Sequence, residues 1–336
     1  MTFTEPSVQI QPTGRVATRT KNLKLKMHKH SLLAAGALAF AAGVMLSCGK
    51  PNEEGGQGGD NDPGRTEIPV TEVSTLKVMS FNILRGTLEG PDHLWTSRRE
   101  ACLAMIKAQE PMLFGLQECD WTQRRHILGS NDLFDCVGVA VDGRTSGYTD
   151  MSSNPIFWRK DIFELQEWGT FWLSDTPEAI GSYTWNYNKA RTCTWARFKI
   201  RCSGRQIYYF NTHLEAHGGL EPKEKGILLI IERIKEKNPS GQVPVIFGGD
   251  LNNAMTSGAP LGPMAEYLEH APSNCLTTDT GRTFNGFKAT GTSVLDHLFY
   301  SRDIFKGLKF YVDRKAYEGV TYISDHYPVF CELEFN

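Results

Sequence analysis

The chain has no excess of basic residues: 36 Lys and Arg stand against 38 Asp and Glu in 336 residues. Eight of the basic and six of the acidic residues fall in the first 71, so residues 72–336 carry a net charge of −4. Proteins that track along nucleic acid present a basic surface, so tight non-specific DNA binding is disfavoured. There is no CxxC, no HExxH and no regular Cys/His spacing, which argues against the usual zinc sites. No internal repeat is present, which argues against a solenoid. Long coiled coils are excluded too, because 32 Gly and 16 Pro make up one residue in seven. What is plentiful is core material: 40% of residues are hydrophobic and 11% aromatic, too many for a disordered chain.

The N-terminus reads as an address. Residues 21–30 (KNLKLKMHKH) are basic, and residues 31–47 (SLLAAGALAFAAGVMLS) are apolar or small. That run is at the short edge for a membrane span. A basic stretch, an apolar stretch and small residues before a cleavage point make a bacterial secretory signal. Met45-Leu46-Ser47-Cys48 resembles a lipobox, whose Cys is lipidated and becomes the mature N-terminus. Residues 1–48 are therefore expected to be an N-terminal extension plus lipoprotein signal peptide, with Met27 as the start and Cys48 lipidated. Residues 49–71 are rich in Gly, Pro and acids and are expected to be a flexible tether. The expected product is an extracytoplasmic protein, periplasmic or on the cell surface. It would be monomeric and touch a membrane through its lipid anchor alone. The seven cysteines beyond Cys48 are an odd number and sit beside apolar residues, so buried free thiols are the expectation.

Residues 72–336 read as one α/β domain with many strands and a few long helices. Trp95 to Gln109 and Lys223 to Lys237 carry apolar residues at helical spacing. Strand signals recur between them and after them. The informative pattern is what stands at the strand ends. VMSFN ends in Asn82, LFGLQE in Glu118, YYFNTH in Asn211 and His213, and VIFGGDLN in Asp250 and Asn252. SVLDH carries Asp296 and His297, and YISDH carries Asp325 and His326. Asn and Asp often end strands because they favour turns. Six such ends in order, with acids and histidines mixed, point instead to a cleft on a rigid scaffold.

SFNI, LQE, NTHL, GGDLN, LDH and SDHYPV, in this order, resemble the endonuclease/exonuclease/phosphatase superfamily, the deoxyribonuclease-I-like hydrolases. The likeness covers essentially all of residues 75–336, and WRKDIFEL, GTFWLSDTPE and RTCTWARF resemble a bacterial branch of metal-dependent hydrolases. The resemblance implies an α/β fold. This is a four-layered sandwich with two central, mostly antiparallel β-sheets flanked by helices. It also implies a divalent metal, Mg²⁺ with Mn²⁺ as the substitute, and phosphoester hydrolysis. On that pattern Glu118, Asn82 and Asp325 are the expected metal ligands. His326 is the expected base, oriented by Asp296, and Asp250 is a rival base with which it could exchange roles. Asn252 and His213 are expected to face the phosphoryl oxygens or the leaving group.

Arg191 offers a fork that matches phosphate oxygens. Asn211 is read as a site-shaping residue, with a substrate contact as the alternative, and Trp185 and Tyr187 as groove aromatics that stack on bases, sugars or headgroups. His297, next to Asp296, is expected to point to the other face of its strand and to be structural. The substrate stays open between sugar, lipid-headgroup or nucleotide phosphates and nucleic acid, and so between phosphatase, phosphodiesterase and nuclease. The competing reading is a glycan-binding lipoprotein that kept the fold and lost catalysis. The complete set of site residues argues against it.

Overall fold

A computed structural model describes residues 68, 70–87, 90, 93–255 and 260–336. The expected signal segment, Cys48 and nearly all of the 49–71 tether lie outside the described residues. Thr71 is bonded to the domain: its N–H donates to Asp161 O at 3.2 Å and its hydroxyl to the Asp161 carboxylate.

The elements run in chain order as β1 (Thr75–Asn82), α1 (Trp95–Gln109), β2 (Leu113–Gln117), α2 (Trp121–Ser130), β3 (Phe134–Val137), β4 (Ile156–Arg159), β5 (Phe163–Trp172), β6 (Thr192–Ile200) and β7 (Gln206–His213). They continue as α3 (Glu221–Lys237), β8 (Val245–Asp250), α4 (Gly262–Tyr267), β9 (Glu269–His270), α5 (Ala271–Asn274), β10 (Thr277–Thr278), β11 (Asp296–Tyr300), β12 (Phe305–Val312) and β13 (Val329–Phe335). One sheet has the order β10-β12-β13-β1-β2-β4-β3 and the other β5-β6-β7-β8-β11-β9. Among the described residues only the β1–β2, β7–β8 and β10–β12 pairs are parallel. The fold is therefore the expected sandwich of two mostly antiparallel sheets with helices outside.

Period-two alternation places the layers. In β1, Leu76 and Val78 face the partner sheet, while Met79 and Phe81 face α1 and α2. In β7, Ile207 and Tyr209 face inward, while Tyr208 and Phe210 face α3. With both faces covered, these strands read as unbroken apolar runs, which is what made them legible. Helix α3 shows the same logic at helical spacing. Ile227, Ile230, Ile231 and Ile234 are its buried stripe, Pro222 and Glu224 open it, and Lys235 and Lys237 close it against the dipole. Helix α1 ends where Glu110 turns left-handed (φ 48°) before Pro111. The seven described cysteines are free thiols, and all but Cys202 are buried.

A polar strut joins the two sheets beneath the site. Asn211 donates to Leu116 O at 2.8 Å and Pro155 O at 2.9 Å, and accepts from Gln117 Nε2 at 2.7 Å. Gly115 lets this happen, since a Cβ there would stand 2.5 Å from Asn211 Cγ. Asn211 is fully buried and its amide is used up inside the protein. This corrects the expectation that it contacts substrate: it spaces the sheets that carry the site.

Candidate active site

Sheet register aligns the first three groups. His213 stands opposite Asp250 in the parallel β7–β8 pair, and Asp250 opposite Asp296 in the antiparallel β8–β11 pair. The three side chains therefore form a row across one sheet edge, about 4.8 Å from strand to strand. The facing sheet ends at the same place, with Asn82 opposite Gln117. Glu118 follows at φ 58° and Asn252 at φ 49°. A left-handed residue costs roughly 1–2 kcal/mol, and such strain gathers at functional sites. His326 comes from the segment before β13, held by a bridge to Phe284 whose ring meets the imidazole edge-on at 4.9 Å.

Asp250 is the hub. Its Oδ2 lies 2.9 Å from Asn82 Nδ2, 3.4 Å from His213 Nε2 and 3.5 Å from His326 Nε2. Its Oδ1 accepts the Asn252 N–H at 3.0 Å. On the far side of His326, Nδ1 is 2.8 Å from Asp296 Oδ2. That bond fixes the imidazole so that Nε2 faces Asp250. His213 Nδ1 is 3.9 Å from Glu118 Oε1, so His213 stands between the two acids.

The electrostatics separate these groups. Burial raises the Asp250 carboxyl, and the Asp296 charge adds to this against the His326 imidazolium, so it sits at about 7. Burial would lower His326, but the Asp296 and Asp250 carboxylates outweigh it and lift the imidazole to about 10. His213 is pushed well below its ordinary value by burial, with Arg191, His326 and Lys189 adding to the effect. Burial and the Glu118 charge raise Asp325 despite the nearby His326. Neutral His213 and cationic His326 therefore flank a carboxyl poised between its two forms.

Some expected residues take other duties. Asn82 was expected to offer an oxygen to a metal. Instead its Oδ1 accepts the Leu84 N–H at 3.1 Å, and its nitrogen faces Asp250 and, at 3.4 Å, Glu118. An NH₂ group cannot ligate a cation, so Asn82 positions Asp250. Arg191 is buried and paired with Glu215 at 3.4 Å, and it lines a cleft of about 120 Å³ with Glu118 and His213. Trp185 packs at the edge of the α3-side core, and Tyr187 is exposed with its ring 6.1 Å from His217. Neither lines the cleft. His297 is structural as expected, bonded to His270 and to Asn253 O.

Sequence reasoning missed several contributors. Arg85 and Lys189 line the same cleft. Ser324 donates to Asn82 O at 2.7 Å, tying the His326 segment to β1. Arg98 is fully buried and donates to the carbonyls of Ile83, Leu84, His93 and Ile323, clamping both segments together. An arginine inside a helical pattern normally reads as solvated, so nothing in the sequence marks it.

With this geometry in hand, comparison with known proteins is decisive. The model of the endonuclease/exonuclease/phosphatase family matches residues 79–326, from within β1 to His326. The chain belongs to this family. The crystal structure of a family member from Bacteroides vulgatus is 26% identical, with a TM-score of 0.70 over 79% of this chain and 100% of that one. A mannosyl-6-phosphatase from Bacteroides thetaiotaomicron is 27% identical, with a TM-score of 0.68 over 78% of this chain and 99% of that one. A probable RNA exonuclease of Saccharomyces cerevisiae is 27% identical over 53% of this chain and 37% of its own length. Drosophila melanogaster nocturnin is 26% identical over 57% of this chain and 31% of its own. The chain thus spans about a third of the length of these two curated relatives.

Members of the endonuclease/exonuclease/phosphatase family are phosphoester hydrolases and generally use a divalent metal. The donors present fit one. Asp250, Asp296 and His326 offer atoms within 4.8 Å of one another: Asp296 Oδ2 and His326 Nδ1 are spent on a mutual hydrogen bond, whereas buried Asp296 Oδ1 has no partner. Glu118 and Asp325 add two further hard carboxylate donors, and the Glu118 charge helps to raise Asp325.

Proposed function

We propose that this protein hydrolyses phosphoesters with a divalent metal, Mg²⁺ or Mn²⁺, held by Glu118 and Asp325. The observation that carries this reading is the convergence of Asn82, His213 and His326 on Asp250 Oδ2, with Asp296 behind His326. A metal bound there would neutralise charge on the phosphoryl oxygens. The chain's own groups handle the proton. Water bonded to Asp250 Oδ2 gives its proton to that carboxylate, while His326, already cationic and 3.5 Å away at Nε2, can only donate. Asp296 holds Nδ1–H and stabilises the imidazolium. Neutral His213 keeps one N–H for a non-bridging oxygen or the leaving group, and Asn252 orients the phosphoryl group. Delivery to an extracytoplasmic membrane surface through lipidated Cys48 is part of the proposal, supported by the N-terminal sequence.

The test is turnover of a mixed panel by the full chain with Mg²⁺ or Mn²⁺. Sugar phosphates, inositol phosphates, single-stranded DNA, RNA and a chromogenic phosphodiester make up the panel. Activity should be abolished by chelator and fall at least about 10²-fold in His326→Ala. No metal-dependent turnover on any substrate would refute the reading. The mass of the mature N-terminus from the native host reads the address, and an unprocessed chain sinks that part.

A further inference from the structure

The cleft beside Glu118 and His213 is built for an anion, and its charge and size say which. Three cations line it: Arg85, Lys189 and Arg191. Glu118 is the acid that lines it, and His213 is neutral there for the reasons given above. With buried Glu215 balancing Arg191, the three cations still exceed Glu118 and Glu215 by one charge before any metal is added. Two of the three cations are short of acceptors. Arg191 is more than nine-tenths buried, and its Nε has no hydrogen-bond partner. Arg85 Nε is likewise buried without one. Arg85 reaches only a backbone oxygen, Asp150 O at 2.6 Å, while the Asp150 carboxylate is engaged by Arg144. Lys189 is exposed at the rim. Unsatisfied guanidinium N–H groups in a confined site are costly unless an anion completes them.

The cleft is also small. Its 120 Å³ falls well below the roughly 300–1,000 Å³ of pockets that enclose a whole small-molecule ligand. It has room for a phosphoryl group, with the organic part left outside. A terminal phosphate has a second pKa of about 6 and carries nearly two charges near neutrality. An internal phosphodiester carries one charge and must lead a chain away on both sides.

We propose that Arg85, Lys189 and Arg191 form a cradle selective for the dianionic terminal group of phosphomonoesters over phosphodiesters. This rests on the phosphoester-hydrolase reading and names its substrate class. Lys189 is the specificity lever, since it contributes charge with no structural partner to lose. Arg191 is not, because removing it would strand buried Glu215.

The first measurement needs neither metal nor turnover. The chelator-treated full chain is titrated calorimetrically at about pH 8, where phosphate is a dianion. Inorganic phosphate is one ligand and dimethyl phosphate the other. Phosphate should bind at least about tenfold more tightly. Lys189→Gln should weaken phosphate by about tenfold and change dimethyl phosphate by less than about threefold, and Lys189→Arg should restore binding. Equal affinity for the two ligands, no phosphate binding, or indifference to Lys189→Gln would overturn the cradle. The second arm compares kcat/KM for p-nitrophenyl phosphate and bis-p-nitrophenyl phosphate with Mg²⁺. Preference for the diester would also overturn the cradle while leaving phosphoester hydrolysis standing. Lys189-dependent phosphate binding with no turnover of either ester would leave the cradle standing and remove the catalytic reading.

Discussion

Three nitrogens from three segments lie within 3.5 Å of Asp250 Oδ2, and only one of them, Asn82 Nδ2, makes a close hydrogen bond. The looser two belong to histidines, whose contacts with Oδ2 are longer than a close hydrogen bond. The charge that organises this arrangement comes from Asp296, fully buried behind His326. Asp296→Asn keeps the shape and removes the charge. The expected outcome is a fall in kcat of about 10²–10⁴, with KM changed by less than about threefold. Nuclear magnetic resonance titration should show the His326 pKa drop from its raised value, because the largest raising influence is gone. Unchanged kcat would show that the position and charge Asp296 imposes on His326 do not matter to turnover. At this scale the sequence was legible where residue type alone decides: the acids and histidines at strand ends do meet. It was silent where rotamers decide. Nothing in SFN tells which end of the Asn82 amide faces inward, and nothing in FNT tells that Asn211 turns toward the other sheet.

Elements became legible in proportion to their burial. Strands β1, β2, β7 and β8 are covered on both faces and announce themselves as apolar runs, and α1 was bounded to the residue. Helix α2 escaped because its buried face is Gln123, Arg124 and Ile127, too polar to register as an apolar stripe. Strand β12 escaped because it is irregular between Gly307 and Lys309, which interrupts its alternation. β3, β9 and β10 are too short to carry a pattern. What starts α2 is a capping box: the Asp120 side chain accepts the Gln123 N–H at 2.9 Å, and Gln123 Oε1 accepts the Asp120 N–H at 2.9 Å. The second Asp120 oxygen accepts the Gly86 N–H at 2.9 Å, anchoring the segment that carries Arg85. Asp120→Ala should therefore cost about 1–2 kcal/mol in urea unfolding, and weaken phosphate binding through a loosened Arg85. Unaltered stability would mean that the cap is made good by solvent.

At the scale of the whole molecule, buried histidines govern the response to acid. His270 Nε2 meets His297 Nδ1 at 3.0 Å, His297 Nε2 meets Asn253 O, and His270 Nδ1 meets Ser273 Oγ. The carbonyl can only accept, so His297 holds its proton on Nε2 and receives the His270 proton at Nδ1. A further proton on His297 Nδ1 would set two donors face to face, and one on His270 Nδ1 would require the Ser273 hydroxyl to turn from donor to acceptor. Burial accordingly lowers both rings, His270 to about 3 with the His297 charge adding to the effect. His213 is lowered as well. Unfolded, all three would titrate near 6.5. As pH falls below 6.5 the unfolded chain protonates these rings before the folded chain does, so their contribution to stability is lost through this window. Asp250, raised to about 7, and Asp325, raised by burial, act in the opposite sense, because the folded chain protonates them first. His326 is protonated in both states below 6.5 and adds no slope there. His270, at about 3, refuses its proton across the whole range from about pH 6.5 to 4, so it alone contributes about 1.4 kcal/mol of lost stability per pH unit as pH falls. In denaturant titrations of the chelator-treated protein, His270→Asn should lower the slope of stability against pH by about that amount, whatever it does to stability at neutral pH. An unchanged slope would mean the acid response resides elsewhere than in the buried pair.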